Sequence, residues 1–330
     1  MPAVAEHRGC TKDAFAEIVR ACQPVVLRGL VSHWPAVEEG HSPRALARYL
    51  MRFDIGGTLE AFFGPPEIAG TYYYGTDLKG FNFERRSLRF AEMLTAILAG
   101  IDTPGSKTVY AGSLPVEEYL PGFTGENVMP LTPAPARLWI GHGSRVAVHY
   151  DALDNIACVI AGHRRFTLYP PAATSKLYVG PIDHTMAGQP VSLAASSPPD
   201  PARFPDFEAV RDLALTAELE PGDALYLPKL WWHGVEATAP FNGLVNYWWD
   251  EFRSGPDAPY TALLLSMIAI AERPPAERAA WRAFFDHYVF RPEGHPLRHL
   301  PAESHGILGP LKPDNYGRIR AWVMHLLRGG

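Results

Sequence analysis

The chain has 330 residues, of which 47% are hydrophobic and 20% charged, a make-up that excludes a disordered or fibrous protein. Its net charge of -5 argues against a broad nucleic-acid footprint, and its three cysteines, Cys10, Cys22 and Cys158, form no CxxC pair and no disulfide framework. The N-terminus has no long apolar core of the signal-peptide kind, and the most apolar stretch, Ala262 to Ala271, is too short to span a bilayer; a cytoplasmic protein with no membrane association is expected.

In chain order, Thr11 can cap a helix carrying Phe15, Ile18 and Val19, and PVVLRG (Pro24 to Gly29) reads as a strand. Ser42-Pro43 then offers a cap and a first-turn proline to a helix with Leu46, Tyr49 and Leu50 on one face. Phe90, Met93, Leu94, Ile97 and Leu98 are spaced for another helix, expected to stop at Gly100. From about Lys107 to Asp250 short apolar runs alternate with Gly/Pro punctuation: TVYAG, RLWIG, VAVHY, NIACVIAG, RRFTLYPP, AELEPG, DALYLP and GLVNYWW. Many short strands at this spacing predict a β-sandwich or barrel. An irregular insertion between Pro170 and Thr216 holds SSPPDPARFPDF, read as a proline-rich surface loop, and long ordered loops are often functional.

After Pro259 the pattern turns helical. Leu263, Leu264, Met267 and Ile268 form one stripe; Trp281, Phe284, Phe285 and Tyr288 a second; Ile319, Trp322, Val323, Leu326 and Leu327 a third. Two readings stand side by side: a helical cap packed on the sheet, or a dimerisation element, because the stripes are rich in large side chains. The expected division is a catalytic domain over 1–258, with its β core at about 107–250, and a helical region over 259–330.

The strand VAVHYD ends in His149-Tyr150-Asp151. Residues i and i+2 of a strand share a face, so one imidazole and one carboxylate can converge on a cation. The tripeptide alone carries little weight. Its context adds more: it closes an alternating strand, and a second histidine, His233, follows the strand of PGDALYLPKLWWH far downstream. Two histidines and one carboxylate leave positions open for dioxygen, which is the iron(II) oxygenase pattern. His142, His163, His184, His295, His299 and His305 lie near glycines or prolines and are expected to be solvated loop histidines.

Four segments in this order resemble the cupin-like JmjC-type hydroxylases, especially the asparaginyl hydroxylase branch and its bacterial relatives: PVVLRGLVSHWPAV, HYDALDN, GHRRFTLYPP, and PGDALYLPKLWWH with GLVNYWW. The resemblance covers about Pro24 to Asp250. It implies a mainly β protein, a double-stranded β-helix (cupin or jelly roll) with N-terminal α/β decoration and C-terminal helices. It also implies iron(II), 2-oxoglutarate as cosubstrate, and hydroxylation coupled to decarboxylation. On this resemblance His149, Asp151 and His233 match the metal ligands, and Tyr110, Asn155, Arg164 and Asn246 match cosubstrate-binding positions. A dianion needs a buried cation, and Arg164 stands where relatives often carry a lysine; Arg165 is the alternative if the strand faces the other way. Val146 stands where relatives often carry a threonine that contacts the cosubstrate. A protein or peptide side chain is the expected substrate, with a small molecule as the alternative. Relatives that dimerise through a C-terminal appendage suggest a homodimer here. Tyr72, Tyr73, Tyr74, Trp231, Trp232, Trp248 and Trp249 are candidates for packing, with one or two of the tyrosines lining a substrate groove.

Overall fold

The computed structural model describes residues 1–330 except Thr76, Asp77, Pro104, Met186, Ala187, Pro199, Ser254 and Gly330, and the side chain of Asp314. It divides into two compact units, Met1–Glu251 and Phe252–Gly330. The strands of the first unit are β1 (Ala5–Arg8), β2 (Val25–Arg28), β3 (Thr58–Gly64), β4 (Thr71–Tyr72), β5 (Glu84–Arg89), β6 (Thr108–Pro115), β7 (Ala136–Gly141), β8 (Ser144–Tyr150), β9 (Asp154–Ala161), β10 (Arg164–Tyr169), β11 (Leu215–Leu219), β12 (Ala224–Leu227), β13 (Trp232–Ala237) and β14 (Asn242–Trp249). They form a nine-stranded sheet in the order β1-β2-β12-β9-β14-β7-β6-β3-β5 and a five-stranded sheet in the order β11-β10-β13-β8-β4. Nearly all neighbours run antiparallel, and the two sheets pack into a jelly-roll sandwich.

Alternation along the central strands builds two cores from one sheet. Ile156, Cys158 and Ile160 of β9 and Val245 and Tyr247 of β14 point to one face. There they meet Leu46 and Leu50 of the helix Pro43–Met51 and Met93 and Ile97 of the helix Phe90–Ile101. Ala157, Val159 and Leu244 point to the other face, against Phe166, Leu168, Ala217 and Leu219 of the smaller sheet. Asn155, Asn246 and Trp248 share the parity of that second face, which is why polar groups of the large sheet end between the two sheets.

Local chemistry fixes the joints. Thr11 and Ser42 cap their helices as expected, accepting from the amides of Ala14 and Ala45. The Pro221-Gly222-Asp223 turn is tied to β2: Asp223 accepts from the amide of Gly29 at 2.9 Å and pairs with Arg28 at 2.5 Å. Gly222 holds φ at 96°, a left-handed conformation that a side chain resists.

Several expectations need correction. The helix Phe90–Ile101 runs one residue past Gly100. Gly100 is there for close approach, since a Cβ would stand 2.5 Å from Nε2 of His142. His142 is not a solvated loop residue; it is buried, taking the Val109 amide on Nδ1 at 2.8 Å and giving Nε2–H to the Ile97 carbonyl at 2.8 Å. His184 is half-buried and stacked on Phe81, its ring 5.3 Å away and inclined by 14°. The SSPPDPARFPDF segment is anchored, not free on the surface: Phe204 and Phe207 are buried with Val148 and Trp232; Pro199 lies outside the described residues. The strand that begins at Trp232, β13, is not marked in the sequence because WHGVEA has little alternation.

In the second unit the helices Pro259–Ile270, Pro275–Phe285 and Pro313–Leu327 carry the three apolar stripes. Among its described residues only Pro296 is buried. Ile268 is 82% exposed, Trp322 59% and Leu326 61%, so among the described residues this unit forms no apolar interior of its own. No helix among the described residues is long and apolar enough to cross a membrane.

Burial holds His142 below its ordinary value of 6.5, although its two backbone hydrogen bonds oppose the shift. The unfolded chain therefore binds a proton that the folded chain resists, and stability is lost as pH falls from about 6.5 toward the lower folded value. The thermal midpoint should drop between about pH 7 and pH 5, and less steeply in a His142→Gln variant; equal slopes would show that the ring does not titrate against the fold.

Candidate metal centre and anion pocket

The ligand strand β8 and its neighbour β13 are bulged against one another. Val146 faces Val235 and His149 faces His233, so Ala147 and Val148 together oppose Gly234 alone. A Cβ at Gly234 would approach Val148 to 2.9 Å, so glycine accommodates the bulge. The extra residue puts Val146 and His149 in the same pocket, which simple alternation forbids. Asp151 follows at the end of the strand, and its carbonyl takes the amide of Leu230, tying the two ligand segments together at 2.8 Å.

The nitrogens and carboxylate oxygens of His149, Asp151 and His233 lie within 4.8 Å of one another. The two imidazole rings are 4.3 Å apart, and Nε2 of His233 is 3.7 Å from Oδ2 of Asp151. Each ring is oriented by its own strand: Nδ1 of His149 meets the Ala147 carbonyl at 2.8 Å, and Nδ1 of His233 meets the Trp231 carbonyl at 3.0 Å. With Nδ1–H donated, the Nε2 lone pairs face the cluster. Burial, with His149 beside it, pushes His233 down to about 4, partly opposed by Asp151, so that ring is neutral and free to ligate at neutral pH. Two imidazoles and one carboxylate suit a divalent transition metal with open positions.

Behind the cluster the strand β10 sends Arg164 inward and Arg165 outward. Arg165 pairs with Glu218 at 2.5 Å on an exposed face. Arg164 is 2% exposed, and its Nε and Nη2 have no hydrogen-bond partner. The Tyr110 hydroxyl lies beside the guanidinium, and burial lowers the arginine's pKa while it raises that of the tyrosine. Among the described residues no carboxylate pairs with Arg164. A buried guanidinium is costly unless an anion meets it. The residues present fit a metal at the three-residue cluster and an acidic group at Arg164.

Asn155 and Asn246 line the same pocket and are hydrogen-bonded to each other at 3.0 Å. Val146 lines it without offering a donor. Tyr72 is buried against Tyr110, their rings 5.8 Å apart; Tyr73 and Tyr74 belong to a separate aromatic cluster. Trp231 and Trp232 are core residues.

Two further pocket residues, Gln189 and Trp139, were not legible as site residues. Gln189 comes from the long insertion, where Val191 bridges His149 and the amide of Ser192 donates to the Val148 carbonyl at 2.7 Å. Its Oε1 is buried and unpartnered, as is Nε1 of Trp248. Nothing in the local sequence marks Gln189. Trp139, in RLWIG, alternates with the core residues Leu138 and Ile140, a parity that could have placed it in the pocket.

A jelly-roll sandwich with a two-histidine, one-carboxylate cluster between its sheets defines a cupin-type metal-binding protein. Residues 11–255 match the model of the cupin-like domain, and the chain belongs to that family. It is 35% identical to the Jumonji C domain-containing protein 5 of Drosophila melanogaster, over 34% of this chain and 27% of the relative. It is 31% identical to human HSPB1-associated protein 1, over 48% of this chain and 32% of the relative. To the human bifunctional peptidase and (3S)-lysyl hydroxylase JMJD7 it is 24% identical, over 69% of this chain and 77% of the relative. The chain thus spans about a third or less of the length of the first two of these relatives. Together they place the first unit among the JmjC-type members of the cupin-like family.

Replacing Asp151 by alanine removes the only carboxylate of the cluster. Affinity for iron(II) or a zinc surrogate should fall by more than about tenfold, measured by competition with a chelating dye. Unchanged affinity would place the metal elsewhere.

Proposed function

We propose that the protein is an iron(II)- and 2-oxoglutarate-dependent hydroxylase acting on a protein or peptide side chain. The observation that carries this reading is the buried Arg164 guanidinium, with no partner at Nε and Nη2, in the pocket that also holds the His149, Asp151 and His233 cluster. A metal site that used no acidic cosubstrate would have no need of that charge.

His149, Asp151 and His233 would hold iron(II), three ligands that leave it positions for cosubstrate and dioxygen. Arg164 and Tyr110 bind the distal carboxylate of 2-oxoglutarate, the arginine as cation and the phenol as neutral donor. Asn155 supplies an amide contact and is held in place by Asn246. The pair, when bound, supplies the oxidation: dioxygen is consumed, 2-oxoglutarate leaves as succinate and carbon dioxide, and a substrate C–H becomes C–OH. The aromatic walls formed by Tyr72, Phe83, Tyr110 and Trp139 exclude water, which protects the reaction from uncoupled turnover.

The (3S)-lysyl hydroxylase among the relatives favours a protein side chain over a small molecule. Gln189 Oε1 and Trp248 Nε1 add one acceptor and one donor for the backbone or a polar group of such a substrate. Free Cys10, Cys22 and Cys158, together with iron(II), suit the reducing cytoplasm. The exposed stripes of the second unit support a homodimer through the C-terminal helices, because a helical unit without an interior is stabilised by burying apolar surface at about 25 cal/mol per Å².

Two measurements test these assignments. Succinate formation by Arg164→Ala should show a KM for 2-oxoglutarate raised at least about tenfold, since a charge-assisted contact is lost. Arg165→Ala should stay near wild type, as an exposed ion pair contributes about 1 kcal/mol or less. The reverse pattern overturns the pocket assignment. Light scattering should report close to twice the 36.4 kDa chain mass. Glutamates at Trp322 and Leu326 should give a folded monomer; a monomeric wild type at micromolar concentration removes the dimer.

A further inference from the structure

A chain of three hydrogen-bonding groups crosses the pocket floor from β7 to β9. The indole Nε1 of Trp139 meets Oδ1 of Asn246 at 2.6 Å, and Nδ2 of Asn246 meets Oδ1 of Asn155 at 3.0 Å. The two asparagines are almost fully buried, at 1% and 6% exposure, so rotation of either amide would leave a polar atom unsatisfied. An asparagine amide presents an acceptor on one side and a donor on the other, and by itself either orientation of the pair is feasible. An indole N–H only donates. Trp139 therefore fixes the carbonyl of Asn246 toward itself, which turns the Asn246 amide nitrogen toward Asn155. That in turn fixes the Asn155 carbonyl toward Asn246 and leaves its Nδ2 hydrogens as the free end of the chain.

The ring that sets this direction is itself held in place. A Cβ on Gly112 would stand 2.4 Å from the Trp139 ring, so only glycine leaves room for the indole there. Trp248 closes the other side, edge-on at 5.8 Å. The indole has little freedom to turn its N–H elsewhere.

The geometry points to Trp139 as a positioning residue that sets the polarity of the Asn246–Asn155 pair, so that Asn155 presents hydrogen-bond donors to an anionic ligand in the pocket. This rests on the proposed binding of 2-oxoglutarate. A carboxylate is acceptor-only, so a donor at Asn155 attracts it and a carbonyl in the same place repels it. Val146 gives the pocket no hydroxyl, so Asn155 is a further donor there besides the Tyr110 hydroxyl and Trp248 Nε1. Trp139 thus acts on the ligand through two intermediaries, and it affects ligand affinity without being a metal ligand.

The test is calorimetric titration of 2-oxoglutarate into the full chain loaded with zinc, where no turnover occurs. Trp139→Phe keeps an aromatic ring and removes the donor. Affinity should fall about fivefold to tenfold, the worth of one directed hydrogen bond, while zinc affinity stays unchanged. Gly112→Ala, which displaces the indole and removes no polar atom, should weaken 2-oxoglutarate binding in the same direction. In an Asn155→Ala background, where Arg164 and the metal still bind the ligand, adding Trp139→Phe should change affinity by less than about twofold. An equal loss in both backgrounds would mean that Trp139 acts by packing alone and would overturn the proposal. So would an unchanged affinity in Trp139→Phe. A wild-type protein that binds zinc yet no 2-oxoglutarate would overturn the cosubstrate reading, and this inference with it.

Discussion

Alternation along β9 and β14 is the constraint on which the rest of the first unit depends. Both strands are buried on both faces, and neighbouring residues go to different cores. One face must be apolar enough to hold the helices Pro43–Met51 and Phe90–Ile101. The other must be apolar at Ala157, Val159 and Leu244 yet polar at Asn155 and Asn246. A shift of one residue in either strand would put the amides into the helical core and the aliphatic side chains into the pocket. The site and the stability of the sandwich are therefore specified by the same register.

The pocket also departs from the rules of an ordinary core. An apolar interior would exclude Arg164, two asparagines and a neutral histidine. Each is retained at a cost, and the costs are offset unequally. The asparagines satisfy one another and Trp139. The histidines are held by their own strand carbonyls. Arg164 alone among them keeps two buried donors unpartnered, a cost that an anionic ligand would offset. The bulge opposite Gly234 belongs to the same economy of form: it breaks the pairing of β8 with β13 so that Val146 and His149 face inward together.

The second unit obeys different physics. Its helices carry many large apolar side chains, yet among the described residues these do not come together into a core within the unit. The sequence pattern that marked three stripes could not say what covers them, because an apolar stripe has the same periodicity whether it faces a neighbour, a partner or water.

Much of the site was written locally. His149 and Asp151 are two apart at the end of β8, so an extended backbone there brings them to one face, and the strand-rich middle of the chain follows from its spacing of apolar runs and turns. The caps at Thr11 and Ser42 were legible for the same reason: their partners lie three residues away. The N-terminal strands β3 and β5, the burial of His142 and the anchoring of Phe204 were not legible, since each depends on segments distant in the chain. The sequence by itself determined which chemical groups were available and that two of them share a strand face. Only the tertiary structure decided that Arg164 points inward while Arg165 meets Glu218, that Gln189 enters the pocket from a long insertion, and that Trp139 directs the asparagine pair. Those outcomes depend on sheet pairing between distant segments, and pairing register is a property of the whole packed sandwich, not of any short stretch of it.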